Sequence, residues 1–424
     1  MNRKQRRELR KDKNLVKELY SIILKCFPKL LDMFNELTDI RHQSYITYNM
    51  KTICVTRLFG LLCGLTSMTD ITNKFDSEIV IKNISQLCNQ NLEELPYWET
   101  IQDVFINIDI DKLRNIGKYI VKALLRSKMF DKYKFKGYFQ LLIDGTGLSS
   151  HNYNLNNNCI VKKYKDGKKA YCKYVLECKL VVGNIVISLD SEFIENASNL
   201  NEKEKQNCEI NAFKRMVVRI KKNYPKYKFI ITGDALYATK PIIDICINNN
   251  WKYIFNLNDR LRVVFKDFID YINVFNDCNI KNYFLDKNYK YKDIHFDMIK
   301  YIDIKNSKNF HYITNFNVTD NNIKNIVMLG RKRWKIENEG FYTQKHRTFD
   351  ITHLNSRNDN AMKCHYLFIQ IAHTIRQLLE QGNKLTKLLN LKLKEVSTNL
   401  LTMLTSDIID LNDIETNFQL RFDN

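Results

Sequence analysis

Apolar residues recur at three- and four-residue spacing through the first third of the chain. Segments 15–37, 52–65 and 109–128 all show this period, which is that of amphipathic helices. The longest apolar stretch, 53–65, is interrupted by Arg57 and is too short to span a bilayer, so it is expected to be a buried core helix. Residues 1–135 are therefore expected to form a helical N-terminal domain.

The pattern changes at residue 136. Residues 137–144 (GYFQLLID) form a nearly continuous apolar run that ends in an acid and is followed by Gly145-Thr146-Gly147. Such a run suits a strand covered on both faces. Segments 170–182 and 184–196 are also expected to be extended, with Gly183-Asn184 as the turn between them. A helix is expected over 202–223. Residues 227–234 (YKFIITGD) then repeat the earlier pattern of apolar strand followed by acid. A helix over 238–249 and a strand over 251–257 complete a β-β-β-α-β-α-β order, which predicts a mixed five-stranded sheet with helices against it. Segment 259–328 is rich in Tyr, Asp, Lys and Asn, with extended stretches at 282–303 and 310–318, and is expected to be a β-rich insertion. Helices are expected again at 333–345, 361–381 and 391–404. The expected division is thus 1–135 helical, 136–258 and 329–385 an α/β core in two parts, 259–328 the insertion, and 386–424 a helical tail.

Charge changes the picture more than composition does. The chain holds 67 Lys and Arg against 47 Asp and Glu, a net charge of +20. That excess favours a polyanionic partner, most simply nucleic acid. The basic run at the N-terminus (Arg3, Lys4, Arg6, Arg7, Arg10, Lys11, Lys13) has no apolar segment behind it and does not read as a secretory signal. Eleven cysteines, with no C-x-x-C pair, give neither zinc spacing nor a disulfide framework, as expected for a cytoplasmic protein.

Three acids stand out against this background. Asp144 and Asp234 each follow an apolar strand-like run, and Glu337 lies in the run RWKIENEGFYTQK at 333–345. On an α-helix Arg333, Glu337 and Phe341 share one stripe, continued by Gln344 or Lys345. Glu339, the rival acid, points roughly 200° away. Phosphodiester chemistry needs hard oxygen ligands for divalent cations, and a few carboxylates on rigid elements supply them.

These motifs resemble those of DDE-type insertion-sequence transposases, in the branch with a β-rich insertion before the third acid. Arg333 and Glu337 match the branch's tyrosine-arginine-glutamate-lysine motif. Gly330 stands at its tyrosine position, and Gln344 at its lysine position with Lys345 one residue further on. The runs at 143–151 (IDGTGLSSH), 165–169 (KDGKK) and 233–238 (GDALYA) extend the resemblance to about 90–385. The resemblance implies a ribonuclease H-like catalytic core and a metal-dependent DNA transposase of the cut-and-paste type. It implies Asp144, Asp234 and Glu337 as catalytic ligands of two Mg²⁺ ions, for which Mn²⁺ substitutes. It places Arg333 and Lys345 at DNA phosphates and predicts a homodimer acting on terminal inverted repeats and target DNA. The basic hairpin of Lys162, Lys163, Lys168 and Lys169 is a further expected phosphate contact. Two alternatives share these features: a non-catalytic DNA-binding protein on the same scaffold, and a stand-alone metal-dependent nuclease.

Overall fold

A computed structural model describes residues 14–156, 158–196, 208–389, 391–414 and 418–422. The basic N-terminal run and residues 202–207 of the expected helix lie outside the described residues.

The expected order of elements is present. Strands β1 (Phe139–His151), β2 (Ile160–Lys163), β3 (Lys169–Val182) and β4 (Ile185–Ile194) precede a helix over Glu209–Asn223. Then come β5 (Phe229–Gly233), a helix over Lys240–Asn248 and β6 (Lys252–Asn256). β1, β3 and β4 form an antiparallel meander, and β5 and β6 run parallel to β1 on its other side. The core order is β4-β3-β1-β5-β6, the mixed α/β arrangement expected of a ribonuclease H-like core. Leu141, Leu142 and Ile143 of β1 are fully buried, which explains their unbroken apolar run.

The sheet does not stop at five strands. β7 (Tyr283–Tyr291), β8 (Ile294–Asp303) and β9 (Lys308–Thr314) form a second meander, and β9 pairs antiparallel with β6. β2 adds a short partner to the start of β3 beside β4. One nine-stranded sheet results. Segment 259–328 also carries a helix, Arg262–Val274, whose buried Val264 and Phe268 join the main core.

Helices cover the rest. Met50–Leu62 is capped by the Asn49 side chain, which accepts from the Thr52 amide at 2.8 Å. Every residue of that helix except Lys51 is buried. It packs on the long helix Asp359–Gln377, where Phe368 stacks between Phe34 and Phe105. Gln377 at the end of that helix exchanges two 2.8 Å hydrogen bonds with the backbone of Val186 in β4. The N-terminal helices and the sheet therefore share one continuous core. Ten of the eleven cysteines are buried or half-buried, and among the described residues no disulfide forms. Among the described residues, no helix is long and apolar enough to cross a membrane.

Candidate active site

Asp144 is not at the end of its strand, as the sequence pattern suggested. β1 continues to His151, with Asp144 opposite Glu177 of β3. What ends there is the parallel pairing: β1 and β5 are in register only as far as Leu142 and Thr232. Asp144 thus stands just past the fork where the two parallel strands separate. Asp234 follows Gly233, the last residue of β5, at the same fork. Its Oδ1 accepts from the Leu236 amide at 2.8 Å, which fixes the side chain in a tight turn. The carboxyl ends of parallel strands at such a divergence are where α/β sheets commonly bind ligands.

Glu337 reaches this place from a different part of the chain. Arg333 Nη1 lies 2.7 Å from Glu337 Oε1 and 3.6 Å from Asp144 Oδ2. The Arg333 side chain is only 10% exposed, so a largely buried guanidinium links Asp144 to Glu337, which itself remains open to solvent. Glu339 instead pairs with Lys335 at 3.4 Å.

The surrounding segment departs from the expected α-helix. Residues Ile336–Tyr342 are π-helical, with hydrogen bonds spanning five residues. Phe341 accordingly leaves the Arg333–Glu337 stripe. It joins Ile336, five residues before it, in a small core with Leu142, Val181 and Val186. The extra residue in the turn also shifts everything downstream by one position. Gln344 is fully buried, its amide nitrogen 2.8 Å from Gln370 Oε1 and 2.9 Å from His373 Nδ1. Lys345, the next residue, is close enough to Asp144 for the two charges to interact. Partial burial lowers its pKa, and the Asp144 charge opposes that shift. At the motif's tyrosine position, Gly330 is covered by the Tyr312 ring of β9. A Cβ there would come within 2.6 Å of that ring.

The structure adds one acid that the sequence reading missed. Glu209, the first residue of its helix, has its carboxylate against Gly145 and accepts a 2.8 Å hydrogen bond from Tyr237 Oη. The Asp144 carboxyl is pushed up to about 7, chiefly by burial. The Arg333 charge opposes the shift, while Glu337, Glu209 and Asp234 add to it. Glu209 is raised as well, by burial and then by Asp234, with its Tyr237 hydrogen bond acting in the opposite sense. Four carboxylates thus influence one another around a single fork, with Arg333 and Lys345 as nearby cations.

Such a donor set fits a hard divalent cation. Its oxygens are carboxylates on rigid elements, and Glu337, Glu209 and Asp234 all push the Asp144 carboxyl up, a repulsion that a cation would relieve. Among the described residues, no three His, Cys, Asp or Glu side chains already stand in a metal-holding group.

The basic hairpin is elsewhere. Lys162, Lys163, Lys168 and Lys169 are exposed at the far end of β2 and β3. Lys169 is eight residues along β3 from Glu177, the partner of Asp144, or roughly 25 Å of extended strand. Lys162 lies over the Tyr174 ring at 5.0 Å, and Lys168 pairs with Asp166 at 3.1 Å.

Comparison with known proteins agrees with this architecture. Residues 140–375 match the transposase DDE domain, and this span covers β1 through nearly all of the helix Asp359–Gln377. Among curated proteins, no sequence matches the chain. The match takes in more than half of the chain, and the chain belongs to the DDE transposase domain family.

Proposed function

We propose that this chain is the transposase of a mobile element. It cuts DNA at the element's terminal inverted repeats and joins the freed 3′-OH to target DNA. The observation that carries this reading is the convergence of Asp144 and Glu337 on one Arg333 nitrogen beside the β1–β5 fork, where Asp234 also lies. Membership of the family implies DNA binding and polynucleotidyl transfer.

In this reading Asp144, Asp234 and Glu337 hold two divalent cations, Mg²⁺ or Mn²⁺. When bound, these ions lower the pKa of an attacking water and neutralise charge on the phosphate. The protein's own groups do the positioning. Arg333 orients Asp144 and Glu337 and offers its remaining N–H groups to the phosphate. Lys345, on the same side, adds a second cation for that phosphate. Lys162, Lys163, Lys168 and Lys169 meet the duplex backbone away from the scissile bond, and the net charge of +20 makes binding salt-dependent. Two copies pair the two element ends.

The test is cleavage and joining of duplex DNA carrying the inverted repeats that flank the reading frame, with and without Mg²⁺ or Mn²⁺. Cleavage followed by joining supports the reading. Binding without cleavage assigns a non-catalytic DNA-binding role instead. Cleavage of any duplex without joining assigns a nuclease.

A further inference from the structure

Asp144 and Asp234 each have a glycine neighbour, and both glycines are pressed by a side chain. A Cβ at Gly145, next to Asp144, would come within 2.5 Å of Glu209 Oε1. A Cβ at Gly233, next to Asp234, would come within 2.7 Å of the Tyr237 ring. These two intruding side chains are hydrogen-bonded to each other, Tyr237 Oη to Glu209 Oε2, at 2.8 Å. The Tyr237 ring is fully buried and packs edge-on against Phe213, one turn along the helix from Glu209. Beyond the last paired residues, Leu142 and Thr232, no backbone ladder ties β1 to β5. A side-chain strut fills that gap.

We propose that Glu209 and Tyr237 form a brace that sets the separation of Asp144 from Asp234. Both are positioning residues of the proposed metal site, so the inference rests on the function proposed above. The chemistry is that of an outer hydrogen bond holding ligand-bearing backbone in place; loss of such bonds typically weakens metal binding about 10- to 100-fold. The glycines belong to the same device, because any larger residue would displace the brace.

Mn²⁺ binding to the DNA-free protein, read from the electron paramagnetic resonance signal of the free ion, tests this without catalysis. Tyr237→Phe keeps the ring and removes the donor. Glu209→Ala removes the acceptor, whereas Glu209→Gln retains one. Expected results are roughly tenfold weaker binding for Tyr237→Phe and for Glu209→Ala, and near wild-type binding for Glu209→Gln. Gly145→Ala, which pushes the Glu209 carboxylate aside, is expected to behave like Tyr237→Phe and serves as a second probe should either brace variant fold poorly. Thermal unfolding of each variant identifies any that fold poorly. Wild-type affinity in Tyr237→Phe and Gly145→Ala would overturn the brace. Equal losses in Glu209→Gln and Glu209→Ala would also overturn it, because Glu209 would then act through its charge. If the wild-type protein binds no Mn²⁺, the metal-site reading itself fails, and the inference fails with it.

Discussion

Arg333 and Glu337 are joined at 2.7 Å across one turn, and the same guanidinium nitrogen lies 3.6 Å from Asp144, nearly two hundred residues earlier in the chain. The link brings an acid of the C-terminal part to the fork between β1 and β5. Removing the guanidinium leaves two carboxylates facing each other with less compensation. Arg333→Ala is expected to lower DNA cleavage about a hundredfold, as loss of a preorganised donor at a reacting phosphate does. Arg333→Lys restores the charge but not the planar fork and is expected to recover only part of the loss. Wild-type rates in Arg333→Ala would remove Arg333 from the site.

The π-helical turn assigns different roles to two adjacent residues. Lys345→Ala is expected to weaken DNA binding and to reduce the slope of log affinity against log salt by about one, with little change in unfolding temperature. Gln344→Leu is expected to do the reverse. It strands Gln370 Nε2 and His373 Nδ1 in the core and costs about 1–3 kcal/mol of stability. Salt titrations of DNA binding and thermal melts of both variants distinguish the roles. Exchanged phenotypes would mean that the chain continues as an α-helix through 336–342.

Arg57 is buried with no exposed surface, and its three side-chain nitrogens have no hydrogen-bond partner among the described residues. Burial holds its pKa down to about 9. A charge in this position opposes folding, while its aliphatic stem packs as a methionine would. Arg57→Met is expected to stabilise the protein by more than ~1 kcal/mol, measured by chemical or thermal unfolding. A drop in stability would show that the guanidinium has a compensating partner.

His373 is fully enclosed, and burial, with Lys179 and Arg376 nearby, lowers its pKa well below the ordinary value. In the unfolded chain the ring titrates near 6.5. Below that pH the unfolded state takes up a proton that the folded state refuses, so this residue lowers stability as pH falls. His373→Asn keeps an acceptor for Gln344 and does not titrate. The variant is expected to gain on wild type by up to about 1.4 kcal/mol per pH unit below pH 6.5, down to the folded pKa. A difference in unfolding free energy that stays constant from pH 7.5 to 5.5 would contradict this assignment.

The strands that carry Asp144 and precede Asp234 were legible because fully buried strands leave continuous apolar runs, although β1 continues past Asp144. The four-residue spacing of Arg333 and Glu337 made their pairing legible. The π-helical turn was not legible, since Asn338 and Gly340 weaken an α-helix without specifying an extra residue in its turn. Its cost to the reading was local: Phe341 was placed on the wrong face, and the spacing of Lys345 seemed irregular. Glu209 was hidden for another reason. It lies 65 residues after Asp144 in a run that also contains Glu202 and Glu204, and only the folded chain shows which acid reaches Gly145. The pairing of β9 with β6 was equally invisible, because cross-strand partners some sixty residues apart leave no local pattern.

The most direct measurement is metal-dependent cleavage of inverted-repeat DNA by wild type, Asp144→Asn, Asp234→Asn and Glu337→Gln. Wild type should cleave with Mg²⁺ or Mn²⁺ and stop when the metal is chelated. Each variant should still bind the DNA and lose about a thousandfold or more in cleavage rate, the effect of several kcal/mol of lost transition-state stabilisation. Equal cleavage by wild type and any of the three variants, or cleavage that survives chelation, would contradict the three-acid metal site.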